Sequence, residues 1–220
     1  MKTQTRIAAV TAAVIVTAGA FAGTLALASG PPPMPGPGPG FGPGPGFGPG
    51  GMDMPRGGPR DGGCLGIPGV VDPSGTLTEA QRTALAANAE EEKLAHDLYR
   101  AFADRYDLPI FDRIAAAETT HLDAVRTLMT RYGITDPTAN QAPGRFTTPA
   151  VQATYDQLLA QGTGSQDAAL EAGRTVETAD IALLRKSLDG LTAPDVQRVY
   201  GHLLTGSQHH LAAFDRWLKR

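Results

Sequence analysis

Glu118 and His121 lie three residues apart in AAAETTHLDAV, residues 115–125, inside an otherwise apolar helical stretch. A carboxylate and an imidazole at that spacing sit on adjacent turns of one helix face. There the glutamate can bridge two metal ions while the histidine binds one of them. Alone, Glu-x-x-His is common and reads more often as a surface ion pair. Here three other stretches carry the same kind of exception. Glu92 interrupts the apolar stripe Leu85, Ala89, Ala95, Tyr99, Phe102. Glu177, with Asp180 one turn later, interrupts Leu170, Gly173, Ile181, Leu184, Leu188. His210 interrupts Val196, Tyr200, Leu203, Phe214, Trp217, a stripe that also holds Ser207. Each exception falls mid-helix and in phase with the apolar spacing.

If these groups share one core, they are costly. An ionised carboxylate in a low-dielectric interior loses several kcal/mol of effective solvation. Four of them also repel one another, and two neutral histidines cannot balance four negative charges. Two divalent cations would balance them. Carboxylate and imidazole donors suit iron, manganese or zinc better than thiol-seeking metals. The remaining polar residues read more plainly. In the run Glu90, Glu91, Glu92, two of the three are expected on a solvated face. His96, His202 and His209 fall off the stripes and are expected to be exposed. Glu177 and Asp180, taken alone, would suit a salt-bridged face with Arg174 or Arg185.

The elements that must position these groups are all helical. Thr78 with Gln81 three residues later forms a capping-box pattern, and the first long helix is expected over 78–105. Pro109 suits the first turn of the second, which Gly133 stops. A proline-rich stretch follows, then a short helix over 149–161. Ser165 caps the third long helix, 166–189, which Gly190 ends. Thr192 and Pro194 open the fourth, 193–219. No run alternates with period two, so no sheet is expected. Short links make the first and second long helices antiparallel neighbours, and likewise the third and fourth. More than 30 residues separate the second from the third. That length can carry the chain back along a four-helix bundle, with the short helix inside the one long crossover.

The rest of the 220-residue chain divides by composition. Residues 1–28 read as a secretory signal: Lys2 and Arg6, an apolar run, then Ala26-Leu27-Ala28 before Ser29. Left uncleaved, that run would serve as a membrane anchor, the only membrane attachment expected. Residues 29–75 read as a disordered linker, with glycine and proline dominating 30–63. Residues 76–220, about 145 of them, suffice for one core. Cys64 is the single cysteine and cannot form an internal disulfide. The net charge of −3 and the absence of a basic stripe argue against a nucleic-acid partner. The chain is expected to be exported, to a periplasm, a cell surface or the medium. Its oligomeric state is not legible, though a dimer is compatible.

These residues resemble the ferritin-like superfamily. EKLAHDLY (92–99), ETTH (118–121) and ALEAGRTVETAD (169–180) are similar to its first-, second- and third-helix metal motifs. In combination, EEEKLAHDLY, LPIFDRIAAAETTHLDAV, DIALL and GSQHHLAAF resemble the prokaryotic family catalogued as domain of unknown function 2202, over about residues 78–218. The resemblance implies an all-α, ferritin-like four-helix bundle and a di-metal carboxylate centre, without assigning an activity. The implied ligands are Glu92 and His121 for one Fe or Mn ion and Glu177 and His210 for another. Glu118 would bridge them, with Asp180 as an extra or exchangeable ligand. Two ferrous ions so held would each give an electron to oxygen or peroxide. Tyr99 would hydrogen-bond a ligand carboxylate or supply a further electron, unless it is simply a core tyrosine. One departure stands out. SQHH, residues 207–210, replaces the fourth-helix Glu-x-x-His of many di-iron bundles. Serine cannot bridge as a carboxylate does, so Asp180 either compensates or the site holds one metal. A ferritin-style storage shell fits poorly with a flexible N-terminal arm. The alternative function is a metal-free helical interaction or structural module displayed on a spacer.

Overall fold

A computed structural model describes residues 72–220. The expected signal segment, Cys64 and the glycine- and proline-rich stretch lie outside the described residues. Within them the chain forms five α-helices and no strand: α1 (Glu79–Arg105), α2 (Pro109–Arg131), α3 (Pro149–Gly162), α4 (Gln166–Leu188) and α5 (Pro194–Trp217). None is long and apolar enough to cross a membrane.

Local chemistry sets the helix ends. Thr78 and Gln81 form a reciprocal capping box on α1, and Ser165 Oγ accepts from Ala168 N–H to cap α4. Proline opens α2, α3 and α5, where its missing N–H costs no helical bond. Beyond α2, Gly133 adopts a φ of 60°, a left-handed conformation that favours glycine.

Packing closes a ring. α1 lies on α2 and α4, α5 lies on α2 and α4, and α3 covers α1 and α4. The interior holds two apolar clusters. One contains Leu98, Tyr99, Phe102, Ile110, Phe111, Ile114, Leu170, Val176 and Phe214. The other contains Leu85, Ala89, Val125, Leu128, Leu184, Val196, Tyr200 and Leu203. On all four long helices the polar exceptions fall between the two clusters: Glu92, Glu118 and His121, Glu177 and Asp180, Ser207 and His210. The core is therefore a polar layer between two apolar halves. Gly173 matters at its edge. A Cβ there would lie 2.5 Å from Phe214 Cζ, so glycine lets that ring close onto α4.

The acidic run on α1 departs from expectation. Glu90, Glu91 and Glu92 are all buried, at 4%, 8% and 2% exposure. Successive residues of a helix point about 100° apart, and α2, α3 and α4 together cover most of the circumference of α1. Glu90 faces the long connection between α2 and α4. It accepts from Thr147 N–H (3.0 Å), Thr148 N–H (2.9 Å) and Thr148 Oγ1 (2.5 Å). Thr148 is the N-cap of α3 and makes no side-chain cap bond of its own. A carboxylate from α1 thus satisfies the start of α3, where the helix dipole favours negative charge. One turn on, Lys93 pairs with Asp97 and donates to Ala142 O (3.0 Å). Gly144 N–H donates to Asp97 Oδ2 (2.8 Å). His96 is half-buried rather than exposed, with Nδ1 2.9 Å from Asp97 Oδ1. His202 and His209 are exposed, as expected.

Asp72 and Gly75 bond to the same domain. Asp72 pairs with Arg198, and Gly75 N–H donates to Tyr132 Oη (2.9 Å). Tyr132 in turn donates to the buried Asp195 (2.6 Å).

Glu90→Ala removes three hydrogen bonds to a buried carboxylate and is expected to cost about 2 kcal/mol of stability. Amide exchange should accelerate over residues 142–152 and stay unchanged in the middle of α2. Uniform acceleration would show that Glu90 does not anchor α3 locally.

Candidate metal centre

Glu118 is the centre of the polar layer. Its Oε2 lies 2.7 Å from His121 Nδ1, and its Oε1 lies 2.8 Å from His210 Nδ1. One carboxylate thus spans two imidazoles from different helices, whose rings stack at 5.6 Å. The same nitrogen of each imidazole also lies near a second acid. His121 Nδ1 is 3.3 Å from Glu92 Oε2, and His210 Nδ1 is 3.6 Å from Glu177 Oε1. Two three-residue groups result: Glu92, Glu118, His121 and Glu118, Glu177, His210. In each, one potential ligand atom per residue lies within 4.8 Å of the others. They share Glu118.

Hydroxyl groups hold the outer acids. Tyr99, fully buried, donates to Glu177 Oε1 (2.7 Å). Ser207 donates to Asp180 Oδ2 (2.6 Å). Asp180 belongs to neither three-residue group, but its charge acts on Glu92, and the charges of Glu177 and Glu118 act on it. Arg174 pairs with Glu171 (3.0 Å) and Asp215 (2.8 Å), not with Glu177 or Asp180. Among the described residues no lysine or arginine forms an ion pair with any acid of the layer.

The electrostatics are those of too much negative charge in too little water. Burial pushes the Glu92 carboxyl well above its ordinary range, and the nearby Asp180 charge adds to this. Burial also raises Glu177, against the pull of His210. Asp180 is pushed up to about 8, by burial first and then by the charges of Glu177 and Glu118, while Ser207 opposes the shift. Glu118 goes the other way. Burial alone would raise it, but His210 and His121 outweigh burial and hold it below the usual carboxylate range. Glu91, one residue outside the expected ligand set, rises to about 7 through burial and the neighbouring Glu90.

The donor set could hold a metal ion. It offers carboxylate oxygens and imidazole nitrogens only, which suits iron, manganese or zinc. Two buried carboxylate oxygens, Glu92 Oε1 and Asp180 Oδ1, have no hydrogen-bond partner. Such atoms are rare in folded interiors and are costly without a donor or a cation. Sequence spacing singles out Glu92, Glu118, His121, Glu177, Asp180 and His210, and the fold brings all six to one buried layer, five of them in the two three-residue groups. It missed Glu91, because three consecutive acids look alike until neighbouring helices are placed. It also missed Asn88, one turn before Glu92, which donates to Ser187 Oγ (3.2 Å) and Tyr200 Oη (3.3 Å) beside the layer.

The raised acids give a pH dependence to the chelator-treated protein. Folded Glu91 and Asp180 keep protons that the unfolded chain releases, so their contribution to stability is present below the ordinary carboxylate pKa. It is lost as pH rises through about 7 and about 8. The melting temperature without metal should therefore fall between about pH 5 and about pH 8.5. A melting temperature that climbs over that interval would contradict this account of the layer.

Residues 82–220 match the family described as "Uncharacterized protein domain (DUF2202)". The uncharacterized protein MJ0754 of Methanocaldococcus jannaschii is 38% identical over 146 residues, covering 66% of this chain and 79% of that protein. The crystal structure of hypothetical protein MJ0754 from Methanococcus jannaschii superposes with a TM-score of 0.66, covering 67% of this chain and 85% of that one. With its helices, its buried polar layer and these matches in hand, the chain belongs to the DUF2202 family.

Proposed function

We propose that the domain is a ferritin-like four-helix bundle that binds two iron or manganese ions and acts in iron binding or in oxygen- or peroxide-linked redox chemistry. The observation that carries this reading is Glu118, one carboxylate shared by two histidine-carboxylate groups in a layer whose acids, among the described residues, form no ion pair with lysine or arginine. Glu92 and His121 would hold one ion and Glu177 and His210 the other, with Glu118 between them. Bound there, two reduced ions would supply one electron each to an oxygen or peroxide substrate.

This chain's own residues do the rest. The apolar clusters above and below the layer limit water, which strengthens every charge interaction inside it. Tyr99 fixes the orientation of Glu177, so that oxygen and its neighbour cannot rotate freely. The histidines must present an unprotonated Nδ1 to a metal, so binding releases protons and weakens as pH falls. Export, read from residues 1–28, would mean that metal is loaded outside the cytoplasm.

The test uses the full chain, stripped with chelator and titrated with Fe(II) under anaerobic conditions or with Mn(II). Two equivalents should bind, and saturation at 100 times the dissociation constant should add about 2.7 kcal/mol of stability for each ion. Glu118→Gln should weaken both ions together, because it removes the shared ligand. No binding of either metal, and a melting temperature indifferent to chelator, would instead leave a metal-free helical module.

A further inference from the structure

The stretch that matches the family starts at residue 82, so residues 72–77 lie outside it, and 72–75 fall in the expected linker. The fold nevertheless holds them on one end of the bundle. Arg198 of α5 pairs with the Asp72 carboxylate and donates to its Oδ1 (3.0 Å). Arg131, the last residue of α2, donates to Asp72 O (2.8 Å). Gly75 N–H donates to the hydroxyl of Tyr132, the C-cap of α2 (2.9 Å). Leu77 and Tyr132 both pack on the apolar cluster that holds Val196.

The same two α2 side chains hold Asp195, in the first turn of α5 and 0% exposed. Tyr132 donates to its Oδ1 (2.6 Å), and Arg131 Nη1 donates to its Oδ2 (3.0 Å). Each oxygen of this buried carboxylate thus depends on a group that the strap 72–77 also binds. Taking those donors away would leave a buried charge without its partners, which is costly. Gly75 sets how close the strap comes. A Cβ there would lie 2.6 Å from Ala193 Cα and 2.8 Å from Ala193 Cβ, on the N-cap residue of α5. Its φ is not among the left-handed ones, so glycine is needed for the close approach and not for its backbone conformation.

We propose that residues 72–77 are a clasp that locks the end of α2 to the start of α5. The chain before Asp72 is then joined to the fold at α2 and α5, and not only through α1, into which it runs. Those two helices carry Glu118, His121 and His210, so the clasp closes the seam along which the shared glutamate meets the second histidine. The clasp is a property of the fold and does not depend on metal.

Amide exchange and thermal melting of the full chain test this. An exposed glycine with an ordinary φ should gain stability on replacement by alanine, through the unfolded chain. The clasp requires the opposite sign: Gly75→Ala should lower the melting temperature by about 2–4 °C. Exchange should accelerate in the last turn of α2 and over residues 197–200 of α5, and stay unchanged in the middle of α1. Asp72→Ala, which removes no packing from the bundle, should produce the same pattern. The double variant should melt no lower than the worse single one, because either change lifts the whole strap. A raised melting temperature for Gly75→Ala would overturn the proposal. So would acceleration confined to residues 72–78, acceleration spread evenly over the domain, or additive effects of the two substitutions.

Discussion

Charge balance in one buried layer is the constraint on which the rest of this structure depends. Four carboxylates and two imidazoles lie between two apolar clusters, and among the described residues no lysine or arginine forms an ion pair with the acids. The protein meets part of the cost internally. Glu118 hydrogen-bonds His121 and lies 2.8 Å from His210 Nδ1, and Tyr99 and Ser207 each occupy one further oxygen. Raised affinities for protons meet another part, in Glu92, Glu177 and Asp180. What remains is two carboxylate oxygens with no hydrogen-bond partner among the described residues. Replacing such a layer with aliphatic side chains would be neutral or stabilising in most proteins. A layer kept at this cost is a sign that something besides folding uses it.

Helix α1 shows how one short segment serves several needs. Glu90 holds the start of α3, Glu91 is buried and its charge acts on Asp180, and Glu92 enters the polar layer. Lys93 and Asp97 then tie the connection that returns the chain toward α4. The long connection is therefore fastened to the same helix that supplies a candidate ligand. Loosening it would be felt at Glu92 through the position of α1, without any contact to the layer itself.

The aromatic residues act from the other direction. Tyr99 and Phe214 meet at 5.4 Å and Phe111 and Phe214 at 6.0 Å, beneath the layer on the Gly173 side. Gly173 allows this approach, and Tyr99 carries its hydroxyl from the apolar cluster into the polar layer. The boundary between the two environments thus falls within a single side chain, an ordinary use of tyrosine's polar tip.

Much of this was legible from residue order alone. Helix ends follow from Thr78, Ser165 and the opening prolines, because capping is a local interaction within one turn. The six polar exceptions follow from phase, because the 3.6-residue period assigns each side chain a face. Phase also says that a face is buried, but not which neighbour buries it. For that reason phase alone leaves the acidic run 90–92 mostly solvated, and only the packing of α2, α3 and α4 around α1 gives each glutamate its own surroundings. The same holds for Ser207. In sequence it is a missing carboxylate. In the fold its hydroxyl meets Asp180 from an adjacent helix, a contact between residues 27 positions apart that no spacing rule contains. Local periodicity determined the candidates, and tertiary packing decided their partners, because hydrogen bonds and charge pairs depend on distances of a few ångströms between helices that the sequence lists far apart.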